Sequence, residues 1–424
     1  MKLLYRAHAG ATSPACSVLP QKCSPAVGPA SDVLSRKASL RLAPVADLRQ
    51  FFIKASVACG ALALCLAPSA YAQHHYLQTN LVSDVAGWAP VIDPNLVNPW
   101  GLSRSATSPW WIADNGTGLS TLYNGVGAKQ ALVVTVPPPT GVTGASGPTG
   151  TVFNGSSDFQ VGVNQPARFI FVTEEGTVSG WNPGANPTVA INKYEAPGKA
   201  VYKGLAIGQI GTANYLYAAN FYSGKIDVFD KEYKPVDLGA WAFTDPRLPK
   251  GYAPFNVQAI GDKIYVAYAK QDQEKIDEVA GRGRGFVTAY TTSGVLSMRL
   301  KWGPWFNAPW GLVQAPAEFG EFSNLILVGQ FGSGKIAAFD PANGKFKGLV
   351  RTANHRALKI DGLWALSFGN GANAGPATSL YFSAGPDDEA HGLFGTITVL
   401  PDPEKHGRDH CDDDDDDDGH DHEN

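Results

Sequence analysis

The sequence predicts an all-β protein folded as a single six-bladed β-propeller, and three observations support this prediction. The composition is rich in turn formers: of 424 residues, 47 are Gly and 30 are Pro, and only 17% are charged, against a usual fraction of about 25%. Strand signals recur in units of roughly 50 residues. A closed ring of such units would also pair its edge strands, which an open sheet leaves exposed.

The repeating unit opens with Gly-Leu or an equivalent pair and continues through a β-rich strand, a Gly-containing turn and a second strand. Its copies lie at 99–124, 168–182 (a weak copy), 203–230, 254–268 with 283–290, 309–340 and 362–399. Gly101 and Gly204 are 103 residues apart, whereas the steps from Gly204 to Phe255, Gly311 and Gly362 are 51, 56 and 51. The weak copy fills the double-length gap, so the period predicts six blades with four strand signals each.

Closure of the ring requires a strand from one end of the repeat region to join the other end. Residues 76–82 read as a strand and precede the first copy, so we expect them to complete the last blade beside 392–399. The Gly-rich stretch 139–165 is expected to form a long loop and the irregular start of blade two. An open β-sandwich is the alternative fold, but it does not predict a fixed period.

The charge distribution predicts three domains or segments: a leader at 1–72, one propeller at 73–401 and an acidic tail at 402–424. These carry 8, 24 and 2 Lys or Arg residues and 2, 24 and 12 Asp or Glu residues, respectively. The balanced propeller lacks the positive excess of a nucleic-acid binder. All five cysteines lie outside 66–410, which excludes disulfides, thiolate nucleophiles and Cys-ligated metals from that range.

The N-terminal region has the pattern of a secretory signal peptide. Arg49 precedes a short apolar run at 55–66, and an Ala-x-Ala site follows at 70–72. The run is shorter than the ~20 residues that span a bilayer, although a buried core helix remains an alternative. We expect cleavage near Ala72 and a secreted or periplasmic, monomeric protein without a membrane span. The prefix 1–40 is interpreted as an over-extended gene start.

The acidic tail contains an unbroken aspartate run, Asp412 to Asp418. Like charges at this density repel one another and disfavour packing, so we predict that the tail is disordered. A weak site for a divalent metal is conceivable from imidazoles and carboxylates, with candidate ligands His410, Asp412, His420 and His422. The simpler interpretation is a solubilising tail.

Four motifs stand out in the repeat region: LVSD at 81–84, DPNLVNPWGLS at 93–103, ADNGTG at 113–118 and APWGL at 308–312. With these motifs the chain resembles a family of uncharacterised secreted bacterial proteins, filed as conserved hypothetical proteins, many of which carry a PEP-CTERM sorting signal. The resemblance covers about residues 76–400, and the repeat is also similar to NHL-type propellers. It implies a secreted propeller but no activity, because the family has none established. The chain lacks the Pro-Glu-Pro motif of the sorting signal, so surface processing is not expected.

Candidate ligand-binding residues come from two classes of loop that are predicted to share one face around the central channel. The loop before each innermost strand offers Asn98, Trp100, Asn256, Asn307, Trp310 and Asp361. The loop after each second strand offers Asp114, Asn115, Glu174, Glu175, Asn220, Tyr222, Gln330, Asp387, Asp388 and Glu389. Such side chains on one concave face suit a sugar, another small polar ligand or Ca²⁺. Glu174 and Glu175 are the strongest candidates for a carboxylate at the channel mouth.

Structural roles compete with these assignments, because Asn and Asp after a strand commonly form turns and Trp100 and Trp310 suit packing between blades. No nucleophile elbow, His-Glu-x-x-His motif or P-loop is present. The leading hypothesis is an exported propeller that binds an extracellular ligand or protein as a scaffold. The alternatives are a Ca²⁺-dependent hydrolase or lactonase with carboxylates at the mouth, and extracellular binding of divalent metals through the tail.

Overall fold

A computed structural model of the chain describes residues 75–183, 188–192 and 198–400. These ranges form six sheets, in which neighbouring strands run antiparallel except for one short parallel pair. The prediction of an all-β, six-bladed propeller is thus confirmed. The leader, the signal-peptide site near Ala72 and the tail, with its four candidate metal ligands, lie outside the described residues and stay predictions. No helix among the described residues is long and apolar enough to cross a membrane.

The chain enters through two strands of the last blade, β1 (His75–Ser83) and β2 (Val91–Ile92). Blade one contains β3 (Pro99–Ser103), β4 (Trp110–Asp114), β5 (Leu119–Tyr123) and β6 (Val134–Thr135). Blade two contains β7 (Pro148–Phe153), β8 (Phe169–Thr173), β9 (Thr177–Trp181) and β10 (Thr188–Asn192). Blade three contains β11 (Tyr202–Ile210), β12 (Ala213–Asn220) and β13 (Lys225–Phe229).

Blade four contains β14 (Tyr252–Ile260), β15 (Lys263–Lys270), β16 (Phe286–Thr291) and β17 (Leu296–Arg299). Blade five contains β18 (Pro309–Gln314), a 3₁₀ helix (Gly320–Phe322), β19 (Ile326–Gln330), β20 (Ile336–Phe339) and β21 (Phe346–Leu349). Blade six contains β22 (Leu363–Phe368), β23 (Leu380–Ala384) and β24 (Leu393–Leu400), with β1 and β2 outside them.

The ring closes through β1, which pairs antiparallel with β24 from His75 opposite Leu400 to Ser83 opposite Leu393. This confirms the prediction that 76–82 would complete the last blade. Tyr76 ties the closing strand to blade five, because its hydroxyl donates to the Phe319 carbonyl at 2.9 Å. The closing strand therefore covers the edge of β24 that would otherwise be free for unwanted pairing.

Blade two has a regular innermost strand, β7, inside the stretch that the sequence suggested was a loop with an irregular start. Its Pro-Thr-Gly-Thr stands where blades one and five have Pro-Trp-Gly-Leu. Each innermost strand has a register irregularity at this point. The equivalent residues after it are Gly101, Gly150, Gly204, Asn256, Gly311 and Ala365, spaced by 49, 54, 52, 55 and 54 residues. Phe255 and Gly362, which served to measure the period in the sequence, therefore precede the equivalent residues Asn256 and Ala365 by one and three positions.

Small residues at this position let neighbouring innermost strands approach closely around the axis. A Cβ on Gly101 would lie 2.5 Å from the Thr149 carbonyl oxygen, and one on Gly311 would lie 2.6 Å from the Trp364 carbonyl oxygen. Both obstacles are backbone atoms of the next blade, which cannot turn aside. The channel below is nearly closed, with a cavity of only about 20 Å³ between these strands.

Candidate functional site

The centre of the ring is filled by aromatic side chains from the position that precedes each small residue. This position holds Trp100, Thr149, Lys203, Phe255, Trp310 and Trp364 in blades one to six. The Trp100 and Trp364 rings stack with centroids 3.6 Å apart, and Trp310 meets both rings edge-on. All three indoles are at most 4% exposed. They form an apolar floor across the centre of the ring.

Lys203 is the one charged residue at this central position. Its side chain is 1% exposed, and Nζ lies 5.1 Å from the centroid of the Trp100 ring, within the range of a cation–π contact. The ammonium donates to a Glu174 carboxylate oxygen and, at 3.3 Å, to Asp277 Oδ1. Burial alone would lower the pKa of Lys203, but the Glu174, Asp277 and Glu278 carboxylates outweigh it and raise that pKa. Lys203 is therefore a permanent buried cation.

Five carboxyl groups lie at the mouth, and we call them the acidic mouth: Glu174, Glu175, Asp277, Glu278 and Glu389. They come from alternate blades: the turn between β8 and β9, the loop between β15 and β16, and the turn between β23 and β24. The Lys203 ammonium interacts with four of them, Glu174, Asp277, Glu278 and Glu389, whereas Glu175 lies beside Glu174.

Two asparagines of blade one link the carboxylates of blades two and six. Asn98 Nδ2 donates to Glu389 Oε2 at 2.8 Å and, at 3.3 Å, to Asn115 Oδ1. Asn115 Nδ2 in turn donates to Glu174 Oε2 at 3.0 Å. The second glutamate of the pair, Glu175, accepts from the Gly147 backbone N–H at 2.9 Å. The predicted convergence of both loop classes on one face is thus observed.

The surplus of carboxyl groups changes their protonation. Burial raises the pKa of Glu278 to about 8, although Lys203 acts in the opposite direction. Burial and then the Glu174 charge raise the pKa of Glu389. Burial likewise raises the pKa of Glu175, with a further contribution from Glu174. With its pKa at about 8, Glu278 therefore retains near neutral pH a proton that an exposed carboxyl group would have lost.

The turn that carries Glu389 has an unusual backbone. Asp387, Asp388 and Glu389 have φ values of 56°, 54° and 68°, so three successive residues that are not glycine lie in the left-handed region. This region costs such residues roughly 1–2 kcal/mol each. Because this arrangement places Glu389 against Asn98, the fold accepts backbone strain at the mouth.

Several predicted residues lie beneath the mouth and satisfy backbone groups instead of facing solvent. Asn256 Nδ2 donates to the Trp310 carbonyl at 2.8 Å, and Gln330 Oε1 accepts from the Asn307 N–H at 2.9 Å. Asn220 and Asp114 are similarly buried and accept from backbone N–H groups. Ligand contact by these residues would require movement of the backbone groups that they hold.

Other predicted residues lie at the surface of the same face. Asp361 accepts from the Asp387 N–H at 3.1 Å, and Asp388 is exposed beside it. Tyr222 is 37% exposed, with Lys199 Nζ 5.4 Å from the centre of its ring. A ligand at the mouth could reach these side chains. Their contact with a ligand stays a prediction.

Sequence reasoning missed Lys203, Asp277 and Glu278. Lys203 was missed because the repeats were aligned on Gly204, and the position before it was not compared between blades. That comparison would have shown a lysine where four blades have an aromatic residue. Asp277 and Glu278 lie in the long insertion of blade four, which has no counterpart in the repeat and so carries no signal in the sequence.

Metal binding at the mouth would have to compete with the lysine. Oxygen donors such as Glu174, Asp277 and Asn115 are the ligand types that Ca²⁺ prefers, but Lys203 already engages both carboxylates. Within 75–183, 188–192 and 198–400, no group of three or more His, Cys, Asp or Glu side chains is arranged to hold a metal ion. The acidic mouth is instead suited to hydrogen bonding and to the neutralisation of a cationic group.

The comparisons with solved structures find propellers at low sequence identity. A streptogramin B lyase structure is 12% identical, with a TM-score of 0.45, over 77% of this chain and 98% of that one. A glucose dehydrogenase structure is 13% identical, with a TM-score of 0.48, over 76% and 99% of the two chains. No family model matches the sequence.

The comparison with curated proteins finds viral relatives. One uncharacterised protein of Acanthamoeba polyphaga mimivirus is 31% identical over 328 residues, which cover 75% of this chain and 78% of the relative. A second from the same virus is 30% identical over 328 residues, covering 75% and 84%. These relatives are not the bacterial proteins that the motifs suggested. The chain belongs to a family of uncharacterised proteins that includes both mimivirus relatives.

Proposed function

We propose that the chain is a ligand-binding propeller whose acidic mouth takes a small molecule bearing an ammonium group. The observation that carries this proposal is the convergence of four carboxyl groups on a single buried ammonium, Lys203, with a fifth, Glu175, beside Glu174. The site holds more acid than its own cation neutralises, and protonation makes up part of the difference. A ligand cation would supply the missing positive charge.

The surrounding side chains favour a ligand that also has hydrogen-bonding groups. Asn115, at the rim, is partly exposed, as are Glu174 and Glu389. Protonated carboxyl groups can donate hydrogen bonds and ionised ones accept them. Desolvation at the concave surface strengthens ionic contacts relative to water. A hydroxylated amine or a polyamine meets these conditions better than a neutral apolar compound.

Isothermal titration with methylammonium, choline and spermidine tests the proposal. At least one should bind the wild type at low salt, and Glu174→Gln and Glu278→Gln should each weaken that binding at least tenfold. Glu274→Gln is the matched control, because Glu274 is an exposed carboxylate in the same loop as Glu278. The proposal fails if none of the three amines binds, or if the control loses as much affinity as the mouth variants.

A second candidate function, a Ca²⁺-dependent hydrolase or lactonase, is favoured by one specific observation. The pKa of Glu278, raised to about 8 by burial, is suited to general acid–base chemistry near neutral pH. Ca²⁺ would have to displace Lys203 from Glu174 and Asp277. The candidate predicts hydrolysis of a lactone or ester panel that needs Ca²⁺ and is lost in Glu278→Gln. Turnover unaffected by a chelator would contradict it.

We also propose that the protein is exported, as the Arg49 flank, the apolar run and the Ala-x-Ala site at 70–72 indicate. Membership of a secreted bacterial family rests on the motifs alone. The test is the N-terminal sequence of the protein recovered after expression in a bacterium with a secretory pathway. The proposal expects Gln73 as the first residue, whereas an uncleaved chain in the cytoplasm would contradict it.

A further inference from the structure

A groove between the β15–β16 insertion of blade four and blade five shares no side chain with the acidic mouth. It has a volume of about 580 Å³ and is lined by Arg282, Trp305, Lys335, Phe346 and Arg351, among others. The Trp305 and Phe346 rings are stacked along it, with centroids 3.9 Å apart and planes within 3° of each other. This volume lies within the range of about 300–1,000 Å³ that is usual for binding sites.

The charged side chains that line this groove are all positive. Its lining includes Arg282, Lys335 and Arg351 and no carboxylate. None of the three forms a salt bridge with another residue of the described ranges, and Arg351 donates only to a backbone carbonyl, that of His355 at 2.7 Å. Three cations that form no salt bridge within the described part of the chain, beside an aromatic wall, attract an anionic occupant, because partial desolvation strengthens such ion pairs.

We propose that this groove binds the aspartate-rich tail of the same molecule, residues 402–424. The tail contains 12 Asp or Glu residues and 2 Lys or Arg residues, whereas the remainder of the fold is balanced in charge. The tail is therefore the acidic partner that the chain itself supplies at the highest local concentration.

The path of the chain supports binding within one molecule. The last described residue, Leu400, pairs with His75, and the backbone N–H of Tyr76 donates to the Arg351 carbonyl at 2.9 Å. Strands lie ~4.8 Å apart, so the chain leaves the fold roughly 10 Å from Arg351. The 11 residues from 401 to 411 can extend up to ~36 Å, which is ample to bring Asp412 to the groove.

Zero-length carbodiimide cross-linking of the full chain tests the proposal, because the reagent joins a carboxylate directly to a lysine amine. At low salt, mass spectrometry should find Lys335 as the main lysine linked to the tail. The Arg282→Ala/Arg351→Ala double variant leaves this reporter lysine in place and should reduce its linkage at least fivefold, as should 0.5 M NaCl. Arg247→Ala/Lys250→Ala, which removes two exposed cations elsewhere, should change nothing.

Three results would overturn the proposal. Tail links spread evenly over the exposed lysines would mean that the tail contacts the surface without preference. Unchanged Lys335 links in the groove variant would mean that the arginines do not hold the tail. In a mixture of ¹⁵N-labelled and unlabelled chains, links that join labelled to unlabelled peptides would show a second copy as the occupant. Melting temperatures of all variants establish that the fold is retained.

Discussion

Lys203 stands where four other blades place Trp or Phe, and this exchange determines the chemistry of the mouth. A buried ammonium is tolerated because Glu174 and Asp277 contact it directly and Trp100 lies beneath it. An aromatic residue at this position would leave the partly exposed Glu174 and the exposed Asp277 without their ionic partner. The lysine and the acidic mouth therefore depend on each other.

Replacement of this lysine should be costly. We expect Lys203→Met to lower the free energy of unfolding by about 1–3 kcal/mol, because Glu174 and Asp277, which are partly or mostly exposed, would lose a charged hydrogen-bond partner. Denaturant unfolding at pH 7.5 measures the change. Lys225→Met, at an exposed lysine of the same blade, should cost no more than about 0.5 kcal/mol. Similar losses in the two variants would contradict the ion-pair assignment.

Glu278 makes stability depend on pH with a defined sign. Its pKa rises from an ordinary 4.5 to about 8 on folding, so between these values the folded state binds a proton that the unfolded state has released. The free energy of unfolding should therefore fall as pH rises through this window, by up to about 1.4 kcal/mol per pH unit. Glu175 and Glu389, whose pKa values are also raised, act in the same direction.

The Glu278→Gln variant separates this contribution from the others. Its unfolding free energy should decline less steeply between pH 5 and pH 8, and it should exceed that of the wild type at pH 8. Parallel curves for the two proteins, measured by denaturant unfolding at each pH, would show that Glu278 ionises in the folded state as it does in water.

At the level of the strands, the innermost strand of each blade combines a central side chain with a register irregularity, and five of the six add a Gly or Ala at that irregularity. Gly101 illustrates the steric requirement, since a Cβ there would meet the Thr149 carbonyl oxygen of blade two. We expect Gly101→Ala to lower the free energy of unfolding by about 1–3 kcal/mol, as overpacking usually does.

The matched control for this substitution lies in another innermost strand. A Cβ on Gly208, in β11, would have as its nearest atom a ring carbon of Tyr217 at 3.3 Å, and this side chain can adjust. Gly208→Ala should therefore cost less than Gly101→Ala in the same denaturant experiment. An equal or larger cost at Gly208 would mean that close approach around the axis is not the constraint.

The strands themselves differed in how well the sequence predicted them. The closing strand was expected at 76–82 and is His75–Ser83, because its alternating pattern reflects one buried face. The innermost strand of blade two was missed because Pro-Thr-Gly-Thr lacks the aromatic and leucine of the repeat. Proline near the start of this strand costs little, because it removes a backbone N–H that the ladder does not need there.

At the scale of the whole molecule, the closure of the ring depends on β1. Removal of all residues through Ser83 would expose the edge of β24 and the Phe319 carbonyl that Tyr76 satisfies. We expect this truncated chain to aggregate, as measured by light scattering after gel filtration, because a free strand edge invites pairing between molecules. Removal of residues 1–74 alone should leave a stable protein. A monodisperse, folded product from the longer truncation would contradict this role.

The repeat of roughly 50 residues and the two classes of loop around the channel were predictable from the sequence. Both follow from the geometry of a blade and recur along the chain. The balance of charge at the mouth was not predictable from the sequence, because it depends on the packing of an insertion from blade four against blades two, three and six. Burial, which shifts the pKa values of Glu175, Glu278 and Glu389, likewise exists only in the folded ring.

The number of protons released when an ammonium ligand binds tests most directly whether the acidic mouth is a cation site. Spermidine is titrated calorimetrically into the wild type at pH 7 in buffers of different ionisation enthalpy. We expect proton release by the wild type, because the incoming charge favours the ionised form of Glu278, and a smaller release from Glu278→Gln. Binding without proton release, or an equal release from the variant, would contradict a cation site among these carboxylates.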